Sequence, residues 1–246
     1  MKKIIIVLIL FFTVTSSSFA SSFDAFNSML NAAPTDAVAE QLLNNLSSDM
    51  GSLMLGGNIG VSASLGLSKI RFNLKVSGTQ MGSEIMRASD SELLYMPIIH
   101  AEFGLPYRID LIGRYGFGYD SNIYGLGARY GLYESQLIVI PSVSVQGLYS
   151  MMATRSNGND FDANNISLST VATFDQLPFV MPYAGIGWSK TSLTPKSSNR
   201  QNITGTNTTM GYTLGMAASI LMINADVSVT WYDMIPNYTL SISAGF

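Results

Sequence analysis

The sequence predicts an all-β protein: an antiparallel transmembrane β-barrel of ten to twelve strands, with a short N-terminal helical segment ahead of it. Three observations carry the prediction. The chain of 246 residues is 47% hydrophobic yet only 12% charged, where about a quarter charged is usual for a soluble protein. Beyond the first residues, no stretch offers the roughly 18 consecutive apolar residues of a membrane helix. From residue 51 onward, apolar and polar side chains alternate with period two, which is how a barrel wall divides its residues between lipid and lumen.

The first 20 residues read as a signal peptide. Lys2 and Lys3 form a positive start, Ile4 to Phe12 an apolar core too short to span, and Ser18-Phe19-Ala20 a small-residue cleavage site. Cleavage is expected after Ala20, and no Cys follows to carry a lipid anchor.

Residues 21–50 read as helical. Phe23, Phe26, Met29 and Leu30 share one face, and Pro34 opens a new turn with Thr35 and Asp36 as capping residues. Val38, Leu42, Leu46 and Met50 then recur every four residues, with Leu43 beside them. A helix from Thr35 to Met50 would be about 24 Å long, close to the roughly 25 Å apolar band of a barrel. It therefore reads as a plug in the lumen or a cap at the periplasmic mouth.

Residues 51–246 read as the barrel. Ile59, Val61, Ala63, Leu65 and Leu67 alternate with small and polar residues, then Ile70, Phe72, Leu74 and Val76 with Arg71, Asn73 and Lys75. The pattern continues through Trp188 and Trp231 to the end of the chain. Eleven segments are countable, whereas single-chain bacterial barrels have an even number. A break at Gly56-Gly57 would give twelve, the expected count, and the loss of one segment would give ten. Ile98, Ile112, Ile138, Ile140 and Leu148 fall on the inward side, where they offer the helix an apolar seat. The connections alternate between short turns and longer polar loops, and Tyr115, Phe117, Tyr149, Trp188 and Trp231 sit at the loop ends of their strands like an interfacial girdle.

Mid-strand charges keep to the polar face. Arg71, Lys75, Glu102, Asp110, Arg114 and Arg129 form a lumen cluster, since a Lys or Arg facing mid-bilayer lipid costs about 2–4 kcal/mol. Such a cluster is either a selectivity constriction or a salt-bridge network that closes the lumen. Four cations against two anions would bias a pore toward anions.

The last strand carries Tyr238, Leu240, Ile242, Ala244 and Phe246 on one stripe. This ending resembles the recognition signal of bacterial outer-membrane barrel proteins. The resemblance implies a Gram-negative-type outer membrane, with lipid and the barrel insertion machinery as partners. The N-terminal plug, with the segments GLPYRIDLIGRYGFG and IYGLGARYGLY, resembles the long-chain fatty-acid transporter barrels. This chain is shorter than those barrels, so their ligand-binding residues do not transfer.

Function narrows by exclusion. The absence of Cys removes disulfides, thiolate catalysis and Cys-ligated metals, and a net charge of −3 gives no footprint for nucleic acid. His100 is the single histidine, so no transition-metal site and no cofactor are expected. His100 and Glu102 share a face, and a lipid-modifying hydrolase would further need a nucleophile within reach of that His; the expectation is no enzyme. The loop Ser156 to Asp162 spaces oxygen ligands like a calcium loop but lacks the terminal Glu of an EF-hand, and reads as a solvated loop. The expected function is a porin-like, passive conduit or carrier for a small molecule, hydrophobic ones included. The alternative is a closed structural or surface-display barrel acting through its extracellular loops.

Overall fold

The computed structural model describes residues 20–61, 64–80, 93–118, 121–154, 160–196, 199, 201–220 and 223–245. Residues 1–19 of the signal segment, most of the Ser156–Asp162 loop and Phe246 lie outside the described residues. Period-two patterning yields ten strands among them: β1 (Ile70–Gln80), β2 (Leu93–Leu105), β3 (Ile109–Gly118), β4 (Ser121–Tyr133), β5 (Ser142–Thr154), β6 (Phe161–Thr173), β7 (Val180–Pro195), β8 (Gly205–Ile220), β9 (Ile223–Tyr232) and β10 (Ile235–Gly245). Each pairs antiparallel with its neighbours in sequence, and β1 pairs with β10 to close the barrel. Closure leaves no unpaired edge, the condition for a sheet to cross a bilayer.

The alternation resolves into two faces. On β10, Asn237, Thr239, Ser241 and Ser243 are buried inward while Tyr238, Leu240 and Ile242 are exposed outward. Leu126, Leu168, Leu214 and Val227 likewise lie on the exterior. The exterior is thus an apolar belt and the interior a wall of Ser, Thr and Asn.

The connections define two mouths. At one, the loop mouth, β1, β3, β5, β7 and β9 end and β2, β4, β6, β8 and β10 begin; at the other, the turn mouth, β2, β4, β6 and β8 end and β3, β5, β7 and β9 begin, with 106–108, 134–141 and 174–179 between the first three pairs. Exposed Tyr107 and Phe179 mark the turn mouth, both with left-handed backbones (φ 63° and 69°) that tighten their turns.

The N-terminal segment forms two helices, α1 (Ala20–Ala32) and α2 (Asp36–Leu55). Thr35 caps α2, its hydroxyl accepting from the Val38 amide at 3.3 Å. Three expectations change here. The barrel opens at Ile70 rather than residue 51, because α2 continues five residues past Met50 and the described residues of the Asn58–Leu67 alternation form no strand. That segment's described residues Ile59, Val61 and Leu65 lie against the lumen wall, and a closed barrel has no free edge for them to join. The strand count is therefore ten, not twelve. Lastly, Ile138 and Ile140 are not inward residues: they sit exposed in the β4–β5 connection, since Pro141 supplies no amide for the ladder before Ser142.

Candidate functional site

The candidate site is the lumen, and α2 fills its half nearer the loop mouth. Phe26, Leu30, Leu43, Leu46, Met50, Leu53 and Met54 pack with inward residues Leu94, Met96, Ile98, Ile123, Met152, Phe161, Ala163 and Leu193 in one apolar cluster. The Phe26 and Phe161 ring centroids are 5.7 Å apart. The proposed stripe is rotated relative to this seat. Leu46 and Met50 are buried, Leu42 is only partly so, and Val38 is exposed; Ala39 and Leu43 take their place. The reason is helical geometry: 3.6 residues per turn carries a strict four-residue repeat around the helix, so contact follows mixed steps of three and four.

Below this seat the last turn of α2 leaves backbone carbonyls without helical partners. The barrel wall supplies donors. Arg114 Nη1 donates to Met54 O at 2.6 Å and also to the Asn58 side-chain oxygen, and Lys75 Nζ donates to Gly57 O at 2.5 Å. Asn237 Nδ2 donates to Ser52 O at 3.3 Å and Tyr232 OH to Leu55 O at 3.4 Å. Two cations thus face the negative end of the helix dipole, the favourable arrangement.

The remaining predicted charges join in one chain nearer the turn mouth. Arg129 Nη2 lies 2.8 Å from both Glu102 Oε2 and Asp110 Oδ2, and Arg71 Nη1 lies 3.5 Å from Glu102 Oε2. Asn73 donates to Glu102 at 3.0 Å, and Asp110 accepts from the Leu65 amide at 3.1 Å. Arg129 also donates to Val61 O at 3.3 Å. The network therefore holds both the wall and the threaded segment. The six predicted residues thus divide by role: Arg114 and Lys75 grip the end of the helix, while Arg71, Glu102, Asp110 and Arg129 form the salt-bridged chain.

Beneath the helix end a cavity of about 160 Å³ remains, lined among others by Asn58, Lys75, His100, Glu102, Arg129 and Asp226. Residues Met181, Ser219 and Asn224 at the strand ends also line it, so it belongs to the turn-mouth half. Tyr183 OH donates to Asp226 at 2.8 Å, a pair separated by 43 residues. His100 is buried, and its Nε2 has no hydrogen-bond partner among the described residues. Its place on β2 is inside the lumen, not on the lipid face. Sequence reading left Tyr183, Tyr232, Asn237 and Asn58 without a role; only their inward parity was available to signal one.

No protein-family model and no curated protein matches the chain. Among solved structures it is similar to outer-membrane barrels. Ail, the attachment invasion locus protein of Yersinia pestis, is 12% identical with a TM-score of 0.37, covering 73% of this chain and 97% of that one. The N-terminal β-barrel domain of Pseudomonas aeruginosa OprF is 13% identical with a TM-score of 0.34, covering 74% and 99%. The translocator domain of the Neisseria meningitidis autotransporter NalP is 11% identical with a TM-score of 0.41, covering 94% and 99%. The fold is a closed, antiparallel ten-strand β-barrel with a short N-terminal helical segment.

Proposed function

We propose that this protein is an outer-membrane conduit or carrier for a small molecule, shut at rest by its own helix α2. The observation that carries the reading is the docking of the helix end. Arg114 and Lys75 hold Met54 O and Gly57 O directly above a polar cavity in the turn-mouth half. Magnitudes divide the labour. Burying seven large apolar side chains contributes an upper estimate of about 10–20 kcal/mol at ~1.5–3 kcal/mol each. The two charged hydrogen bonds contribute about 1.5–3 kcal/mol each. Packing keeps the helix in, and the polar bonds set its depth. A polar solute suits the cavity as it stands; a hydrophobic one would need the apolar seat that the helix now occupies.

A second reading is favoured by that same apolar seat: a permanently closed barrel that works through its outer surface. Single-channel conductance of the folded barrel in planar bilayers separates the two. Wild type is expected to be closed apart from rare openings, and removal of residues 21–50 to open it. Cβ atoms placed at Gly51 and Thr191 lie 3.3 Å apart, near the about 3.5–4.5 Å of a disulfide. In a chain without Cys, the oxidised G51C/T191C pair is expected to abolish the rare openings of wild type and reduction to restore them. Silence from the deletion variant, with heat-modifiable gel mobility showing a folded barrel, would leave the closed display barrel as the function.

A further inference from the structure

The direction of the threaded segment has a consequence of its own. Contacts descend the lumen in chain order. Phe26 meets Phe161 at the loop-mouth start of β6, and the Asn31 side chain accepts from the Asn199 amide in the loop between β7 and β8. Asn44 accepts from the Thr206 amide at 2.7 Å, one residue into β8. Ser52 then meets Asn237, Gly57 meets Lys75, and Val61 meets Arg129, each nearer the turn mouth than the last. Leu65 reaches Asp110 at the start of β3, and Ser68 donates to Gly104 O at 3.0 Å where β2 ends. The chain therefore enters at the loop mouth, runs down the lumen and leaves at the turn mouth to begin β1.

Short turns face the periplasm and longer loops the exterior in barrels of this class. The two longest stretches of sequence between strands, 81–92 and 196–204, join strand ends that lie at the loop mouth (Gln80 to Leu93 and Pro195 to Gly205). We propose that this barrel displays its own N-terminal segment, holding α1 and the α1–α2 junction on the outer face of the cell while residues 43–61 and 64–66 lie along the lumen. The surface chemistry at that mouth fits an outside position: residues 34–38 and Met29 are solvent-exposed, whereas Phe26 and Leu30 are tucked into the lumen seat. The proposal rests on the outer-membrane reading but not on whether the lumen ever opens. It also sets the polarity of any release. The segment is tethered at the turn mouth through Lys69 and β1, so α2 leaves only toward the outside.

The absence of Cys makes the test clean. Three single variants are labelled with a membrane-impermeant maleimide on intact cells and again after permeabilisation: Met29→Cys in α1, Met234→Cys in the β9–β10 turn at the loop mouth, and Val139→Cys in the β4–β5 connection at the turn mouth. All three positions are exposed, and heat-modifiable mobility checks that each variant folds. Labelling of M29C and M234C on intact cells, with V139C labelled only after permeabilisation, is the expected result. M234C labelled while M29C waits for permeabilisation would overturn the proposal and leave the barrel's orientation intact. V139C labelled on intact cells in place of M234C would overturn both the proposal and the assignment of the two mouths.

Discussion

Glu102 shows what a single side chain does in this lumen. It accepts from Arg129 at 2.8 Å, Asn73 at 3.0 Å and Arg71 at 3.5 Å, and is buried. Removing one member of a buried pair leaves the others charged and undersolvated, at a cost of about 3–5 kcal/mol. Asp110 still holds Arg129 in Glu102→Gln, so the loss is expected at the lower end, about 3 kcal/mol. Glu134, paired with Arg108 at 3.5 Å where both are well exposed, provides the contrast: Glu134→Gln is expected to change stability by less than about 1 kcal/mol. Urea unfolding in detergent, followed by gel mobility, compares the two. Equal midpoints for both variants would mean that the buried network contributes no more than a surface pair. Residue type was legible in the sequence here, since a charge with inward parity has to be paired. Partner choice was not: Asp110 and Arg129 meet only because β3 and β4 place them opposite each other in register.

At the scale of elements, α2 depends on how closely the wall lets it approach. A Cβ at Gly205 would lie 2.4 Å from the Leu43 backbone carbon, closer than atoms pack, so β8 has glycine where the helix crosses it. Gly205→Val is expected to displace the helix without breaking the barrel, because valine suits a strand. Bilayer conductance should rise from closed to frequent openings, with gel mobility still that of a folded barrel. Unchanged closure would show that the helix shifts locally and reseals. The elements differed in how well the sequence revealed them. From Ile70 onward, period two identified strands because outward residues must be apolar and inward ones need not be. The Asn58–Leu67 stretch shows the same alternation for another reason: Ile59 packs with Val171 and Tyr183, and Leu65 is buried, while Asn58 meets Arg114. A strip of chain between two unlike surfaces alternates whether or not it joins a sheet. The C-terminal turn of α2 was hidden in the same way, because Gly51 and Ser52 read as a helix end until the barrel wall provides donors for the carbonyls of Ser52, Met54 and Leu55.

The whole molecule carries its charge in layers. Inward-facing Arg71, Lys75, Arg114 and Arg129 stand against Glu102, Asp110 and Asp226, four cations to three anions among the described inward strand residues. With the helix seated, Arg114 and Lys75 donate to Met54 O and Gly57 O, and neither has a carboxylate within salt-bridge distance among the described residues. Taking the segment away removes carbonyl partners, not carboxylates, so the wall keeps both positive charges and loses what held them. Rings of one sign choose the ion that passes. The barrel lacking residues 21–60, which include Met54, Gly57 and Asn58, is therefore expected to prefer chloride over potassium. The preference should be modest, because the Arg129 pairs with Glu102 and Asp110 remain in place. It should weaken as salt shortens the roughly 10 Å screening length found at 0.1 M. The sign of the reversal potential in a potassium chloride gradient reads this directly. Lys75→Met together with Arg114→Met in the same background removes the uncompensated pair, and the potential is then expected to move to the cation side. A deletion barrel that already prefers potassium would mean that the intact Glu102 and Asp110 carboxylates, rather than the two freed cations, line the narrowest part of the opened path.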